Sequence, residues 1–531
     1  VWLKGARPVH LIPAAAHIIV FLNLRMDRCS LGYRATGVEF LFRPGVRRLQ
    51  RPPFRALQLP LSASELRIPI ESGPMTPLRI LMLTTFYPPY SFGGDGVSVQ
   101  RMARALARRG HAVSVVHDEN AFLSLDGQVP EAASGAVTSQ DGVEVIGLRS
   151  RLGMVSNLLV QQTGRAVLHA NRLRRIVADK RPDILWHNNV SLMGAPGILK
   201  LAAPLRVYEA HEHWLVCPTH VLWRHDQKPC DTRQCLRCVL AHRRPPQLWR
   251  ATGMLDRQLS SMDLIIAKSR FSRDKHRAYG LKQDMEVLPL FLPPLAAPPA
   301  PARHSKDASA DRGPVHPRPY FLFVGRLEKI KGVQDLLPAM VRHGQADLLI
   351  AGDGDYAETL KAQAAGNPHV HFLGRLTPEA LSAYYASAIA SLVPSLCYET
   401  FGAILIESFR MGTPVIARRL GPLPEVVEAA GGGLLFETQD DLVAAMAQMQ
   451  DTSGTRTRLA AAALRGFDAH WREDRVLSAY GVALARAART KGNEALAQTL
   501  KASLCQRDAG GAATPLNADT GASPLPRPFS T

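Results

Sequence analysis

From Leu78 onward the chain alternates short apolar runs with longer stretches in which apolar and polar residues recur at helical spacing. The runs fall at 78–83, 112–116, 143–148, 184–187, 205–209, 264–267 and 286–289, then at 320–324, 347–351, 370–373, 388–393, 414–417 and 433–436. Predominantly apolar runs of this length predict strands buried on both faces, and helical spacing between them predicts parallel sheets covered on both sides. The two series are separated at 293–319 by Pro, Ala, Ser and charged residues, a composition that neither packs nor forms a helix. The expected fold class is therefore α/β, with two doubly wound Rossmann-like domains, one over 75–292 and one over 320–465. Helices at 466–506, led by an Ala/Arg-rich stretch, and a disordered tail over 507–531 complete the expected plan.

Residues 1–74 carry no sustained periodicity and are rich in Arg and Pro, and the order changes at Met75. They are expected to be a disordered arm or an upstream extension, with Met75 as the true start. The longest apolar segment there, 11–24, is interrupted by Pro13, His17 and Asn23 and followed by Arg25, Asp27 and Arg28, not a small-residue cleavage site. It is too short to span a bilayer. With seven cysteines, an odd number, the chain is expected to be cytoplasmic and not secreted.

Composition narrows the partners. Of the residues 46% are hydrophobic and 21% charged, which excludes a disordered protein, and the net charge is +19. The arginines lie along helices (Arg101, Arg104, Arg108, Arg109; Arg172, Arg174, Arg175) without interleaved aromatic residues. That pattern argues against a nucleic-acid platform and fits a solvated face or peripheral contact with an anionic membrane surface.

The chemistry concentrates at 393–415. A loop after an apolar run carries Glu399, and a helix expected from Gly402 to Gly412 carries Glu407 among Ala403, Ile404, Leu405, Ile406, Phe409 and Met411. A carboxylate in such a helix costs several kcal/mol unless a polar group pairs with it, so Glu407 needs a partner. Phe321–Gly332 places Arg326 and Lys331 just past a strand, where ligands bind in doubly wound sheets, and two cations in one loop suit a diphosphate. Gly93 and Gly94 form a loop before a helix, where backbone amides can approach a phosphate or sugar.

The segment around Glu399 and Glu407, the Gly-Arg-x4-Lys-Gly loop at 325–332 and the Gly-Gly loop together resemble the family-four retaining glycosyltransferases of GT-B fold (glycosyl transferases group 1). Ile350–Gly354, Phe372–Arg375 and Gly421–Glu425 match in family order, and the resemblance spans about 78–480. It implies transfer of a sugar from a nucleotide-diphosphate sugar to an acceptor hydroxyl, and the basic surface adds the expectation of a sugar, polysaccharide or lipid-linked acceptor at the inner face of the cytoplasmic membrane. It implies Arg326 and Lys331 on the diphosphate, Glu399 on the donor sugar and Glu407 on the ribose. Gly93, Gly94, Gly325, Gly352, Arg375, Phe401 and Gly402 would line the same donor site. His211 fits the family's strand-end histidine best, with Glu212 where the family commonly has Asp. No metal is expected to be required for catalysis. Two other readings stay open, a nucleotide-sugar epimerase or hydrolase on this fold and a non-catalytic basic binding protein.

Cys217, Cys230, Cys235 and Cys238 cluster in an insertion over 217–242. The Cys-x-x-Cys pair has zinc-knuckle spacing and the wider gap does not, so a structural zinc site, free thiols and disulfides are all compatible with the sequence.

Overall fold

The computed structural model describes residues 76–126, 137–293, 295, 315–451 and 453–505. The expectations for 1–74, for most of the linker and for the tail fall outside those residues. The first sheet comprises β1 (Arg79–Thr84), β2 (Ala112–Asp118), β3 (Val137–Gln140), β4 (Val143–Leu148), β5 (Ile184–His187), β6 (Leu205–Ala210), β7 (Leu264–Ala267) and β8 (Glu286–Val287). Its order is β3-β4-β2-β1-β5-β6-β7-β8, parallel except for the β3–β4 hairpin. The second comprises β9 (Tyr320–Val324), β10 (Asp347–Ala351), β11 (Val370–Gly374), β12 (Ser391–Val393), β13 (Val415–Arg418) and β14 (Gly433–Phe436). It is wholly parallel in the order β11-β10-β9-β12-β13-β14.

Each central strand feeds both faces of its sheet, as the two-residue side-chain period requires. In β1, Ile80 and Met82 join one core cluster while Leu81 and Leu83 join the other. In β9, Phe321 and Phe323 point one way, Tyr320 and Leu322 the other.

Some expected elements change. The run 388–393 forms strand only at Ser391–Val393, because Ala388 caps the preceding helix Pro378–Ser387. The C-terminal helical stretch breaks at Trp471 and Arg472. Helix Thr455–His470 packs against the second sheet's helices, whereas Glu473–Thr490 and Glu494–Leu504 return to the first sheet through Val476, Leu477, Tyr480, Leu484 and Leu500. Glu473 anchors that return, accepting from Arg108 at 2.7 Å and Arg109 at 3.1 Å.

Strand order reverses between β1 and β5 in the first sheet and between β9 and β12 in the second. The crevice outside the strand carboxyl ends at such a reversal is the standard ligand position in open α/β sheets. The loops after β9 and β12 hold 325–332 and 394–402, so the topology alone brings the Arg326–Lys331 loop beside Glu399.

Candidate active site

Lys331 Nζ donates to Glu399 Oε1 at 2.6 Å, and Ser395 Oγ donates to the same oxygen at 2.9 Å. Burial alone would raise the Glu399 carboxyl, but Lys331, Ser395 and Arg326 outweigh it and hold the group below its ordinary value. Burial pulls Lys331 down and Glu399 more than reverses it, so Lys331 sits above its ordinary value. Both groups are therefore ionised at neutral pH. Arg326 donates through Nη1 to Glu328 at 2.5 Å and lies across the cleft from the glycine loop, where a Cβ on Gly93 would stand 3.7 Å from its Nε.

Glu407 has the partner its helix demanded, and that partner comes from the other sheet. Arg101 Nη2, on the helix Gly94–Arg108, donates to Glu407 Oε1 at 3.0 Å, and Tyr385 OH donates to Oε2 at 3.4 Å. The helix carrying Glu407 runs Ala403–Arg410, with Gly402 as its left-handed N-cap. Phe401 points into the core, edge-on to Trp471 at 6.4 Å between ring centres. Arg375 follows β11 with its side chain 83% exposed and its Nε 3.7 Å from Asp353.

Among the described glycines, Gly352 has the tightest backbone-to-backbone contact, ahead of Gly332 against the Pro394 carbonyl oxygen at 2.1 Å. At φ +146° the missing Cβ of Gly352 would fall 1.8 Å from the Gly325 carbonyl oxygen, so the loops after β9 and β10 touch only because neither carries a side chain there. In the first loop Gly94 faces open space. The tight position is Gly96, whose Cβ would meet Ser91 Oγ at 2.4 Å.

His211, just past β6, is buried, and its Nε2 lies 3.1 Å from Asn188 Oδ1 and 3.5 Å from Glu209 Oε1. Two acceptors at one nitrogen place the proton on Nε2. Burial pulls this imidazole down to about 4 against the opposing pull of Glu209, so it is neutral at physiological pH. Its carbonyl accepts from Thr400 Oγ1 at 3.1 Å, which ties it to the residue following Glu399. Beneath it lies a network that the sequence reading missed. Glu209 accepts from Lys268, from Tyr480 OH at 3.1 Å and from Trp186 Nε1 at 2.8 Å. The available signal was a charged residue within or directly after an apolar strand run, Glu209 in β6 and Lys268 after β7.

The cysteine insertion spans the cleft. Val221 and Trp223 pack on Ile330, Leu396 and Cys397, and Tyr398 OH donates to Asp231 at 2.5 Å. Lys275 Nζ sits 4.4 Å from the centre of the Tyr398 ring and 3.4 Å from Asp231. Cys217, Cys230, Cys235 and Cys238 form no disulfide. Cys217 contacts Thr219 Oγ1 at 3.2 Å and Cys238 contacts His225 Nδ1 at 3.7 Å. Among the described residues, the one group of three His, Cys, Asp or Glu ligand atoms within 4.8 Å of one another lies elsewhere, at His316, Asp347 and His371.

Comparison with known proteins accords with this fold. Residues 92–294 match the model for Glycosyltransferase Family 4, and 305–465 match that for Glycosyl transferases group 1. A glycogen synthase of Mycobacterium tuberculosis is 27% identical over 417 residues, covering 73% of this chain and 89% of the relative. A GDP-mannose-dependent alpha-(1-6)-phosphatidylinositol monomannoside mannosyltransferase of the same organism is 25% identical, covering 75% and 95%. Among solved structures, sucrose-phosphate synthase from Thermosynechococcus elongatus superposes with a TM-score of 0.58 at 20% identity, covering 79% of this chain and all of that one. The Anabaena protein HepE, solved with UDP and glucose, gives 0.51 at 19% identity, covering 80% and 100%.

Proposed function

We propose that this chain, which belongs to the glycosyltransferases of GT-B fold described by the group 1 and family 4 models, transfers a sugar from a nucleotide-diphosphate donor to an acceptor hydroxyl with retention of configuration. The observation that carries the reading is the ionised Lys331–Glu399 pair at the strand-order reversal, with Arg326 acting on both groups. Lys331 has three ammonium donors and spends one on Glu399, leaving the others for a phosphate oxygen. Arg326 adds a second cation, and such preorganised charge is worth several kcal/mol on a departing diphosphate. Glu399 takes donor-sugar hydroxyls and Glu407 the ribose hydroxyls. The bond from the anomeric carbon to the diphosphate breaks as the acceptor oxygen attacks from the same face, and its proton passes to the leaving phosphate oxygen. Neutral His211 serves as a hydrogen-bond group beside the sugar. The GDP-mannose dependence of one relative supports the donor class.

The acceptor we favour is lipid-linked. No described helix is long and apolar enough to cross a membrane, but helix Met154–Thr163 and its flanks expose Leu152, Met154, Val155, Leu158 and Val167. Arg151 and Arg165 stand exposed beside them. An apolar face rimmed by arginine fits an anionic bilayer surface.

A thermal-shift screen of nucleotide sugars, followed by assignment of the product's anomeric configuration by NMR, tests the core reading. Donor hydrolysis without acceptor product, or an inverted product, would refute it. Membrane contact is tested separately with Leu158→Glu, which should abolish salt-sensitive sedimentation with anionic vesicles while leaving donor binding intact.

A further inference from the structure

At the opposite edge of the second sheet from the donor crevice, three strands bring imidazoles around one carboxylate. Asp347 opens β10 and is 2% exposed. His369 and His371 enter β11, and His316 and Arg318 lead into β9, the two neighbours of β10. The bend before β9 and the turn that opens β11 deliver these side chains to Asp347. His316 Nε2 stands 2.7 Å and His371 Nε2 3.2 Å from Asp347 Oδ2, while His369 Nδ1 and Arg318 Nε each lie 2.9 Å from Oδ1.

We propose that His316, His371 and Asp347 form a binding site for a divalent transition metal of the zinc class. Three features carry this. The donor set, two imidazole nitrogens and one carboxylate oxygen, is the kind that zinc and its first-row neighbours select over calcium or magnesium. The three atoms lie within 4.8 Å of one another. Ligands at about 2.0–2.1 Å from a tetrahedral zinc stand roughly 3.3 Å apart, so the face of the coordination tetrahedron is reached by opening the 2.7 Å contact by well under an ångström. Third, the two carboxylate oxygens are already divided. Arg318 and His369 hold Oδ1, where they orient the group from outside the coordination shell, as hydrogen-bonding partners of ligating carboxylates do. Among the described residues Oδ2 meets the two imidazoles, and water would complete the coordination.

The position defines the role. β10 is five residues long and the donor loops lie at its other end, so the ion takes no part in transfer. His316 lies at the end of the segment that joins the two sheets, and an ion there would pin this segment to β10 and β11.

The alternative is a hydrogen-bonded hub that needs no ion, and metal titration separates the two. Tag-free full-length protein, stripped with chelator, is titrated with Co²⁺ and compared with His316→Gln/His371→Gln and with His371→Gln alone, the least packed of the ligands. Wild type should bind one equivalent more than the double variant. The difference spectrum should show ligand-field bands without sulfur-to-cobalt charge transfer, which excludes the cysteines as the source. His371→Gln alone should weaken binding by about 10–100-fold or more, and Zn²⁺ should raise the melting temperature of wild type only. Equal cobalt binding by wild type and the double variant, or a difference spectrum dominated by sulfur charge transfer, overturns the proposal.

Discussion

Replacing Lys331 by alanine removes the cation from one contact and, on the proposed mechanism, from a second. In the ligand-free chain its ammonium lies 2.6 Å from Glu399 Oε1, with the two side chains 21% and 23% exposed. At an effective dielectric of about 20 the gross attraction is roughly 6 kcal/mol, most of it offset by desolvation. The net loss of a charged hydrogen bond of this kind is about 1.5–3 kcal/mol, since Ser395 remains on Glu399. Transfer should fall further, by about 10²–10³-fold, because the diphosphate loses a preorganised donor that strengthens as charge develops. A double-mutant cycle with Glu399→Gln apportions the two effects. If Lys331 only holds Glu399 in place, the double variant is no worse than the worse single one. If it also acts on phosphate, Lys331→Ala weakens nucleoside diphosphate binding in the Glu399→Gln background too, read by calorimetry with the sugar-free nucleotide. Nucleotide affinity within threefold of wild type in Lys331→Ala would refute the diphosphate role.

Three further outcomes are expected. Arg101→Ala frees Glu407 from a partly buried pair and should raise nucleotide affinity by no more than about fivefold, on the order of 1 kcal/mol; a tenfold loss would mean that Arg101 itself touches the donor. Gly352→Ala should destabilise by about 2–4 kcal/mol, because a Cβ 1.8 Å from the Gly325 carbonyl forces the two donor loops apart; an unchanged urea midpoint would contradict this. Burial raises the Asp118 carboxyl from 3.8 to about 7, against opposing bonds from the Ala121 and Asn120 amides. The folded state then binds the extra proton between those values, so this group's contribution is most favourable at low pH and is lost as pH rises toward 7, by up to about 4 kcal/mol. Asp118→Asn should remove that slope in denaturation midpoints at pH 5, 6, 7 and 8, and a slope that survives the substitution would count against it.

How much of this was legible in the chain differs by the range of the interaction. Strands buried on both faces show themselves as apolar runs, whereas the Gly-Arg-x4-Lys-Gly loop meets Glu399 because the observed strand order, β9 beside β12, sets the loops side by side. That Glu407 needed a partner followed from the apolar helix around it, but that the partner is Arg101, 306 residues away, depends on how the sheets face each other. The return of the last two helices to the first sheet was hidden for the same reason: an amphipathic pattern shows an apolar face and not the surface that covers it. Conversely, the Gly93–Gly94 pair stood out as a motif although neither position needs a left-handed conformation, while Gly96, packed on Ser91, sits inside an ordinary helix. The cysteine spacing identified a compact insertion without fixing the chemistry of its thiols, because sulfur geometry depends on loop paths that no periodicity encodes.

The insertion over 217–242 has one more consequence. By chain order it belongs to the first sheet, yet its Val221, Trp223 and Asp231 grip the loops that bear Lys331 and Glu399. A swing of one sheet against the other must either tear this seam or leave the insertion riding with the second sheet, pivoting on its own two stems. The first sheet thus carries a hand on the loops that bear Lys331 and Glu399, and a displacement of the insertion is transmitted directly to that pair.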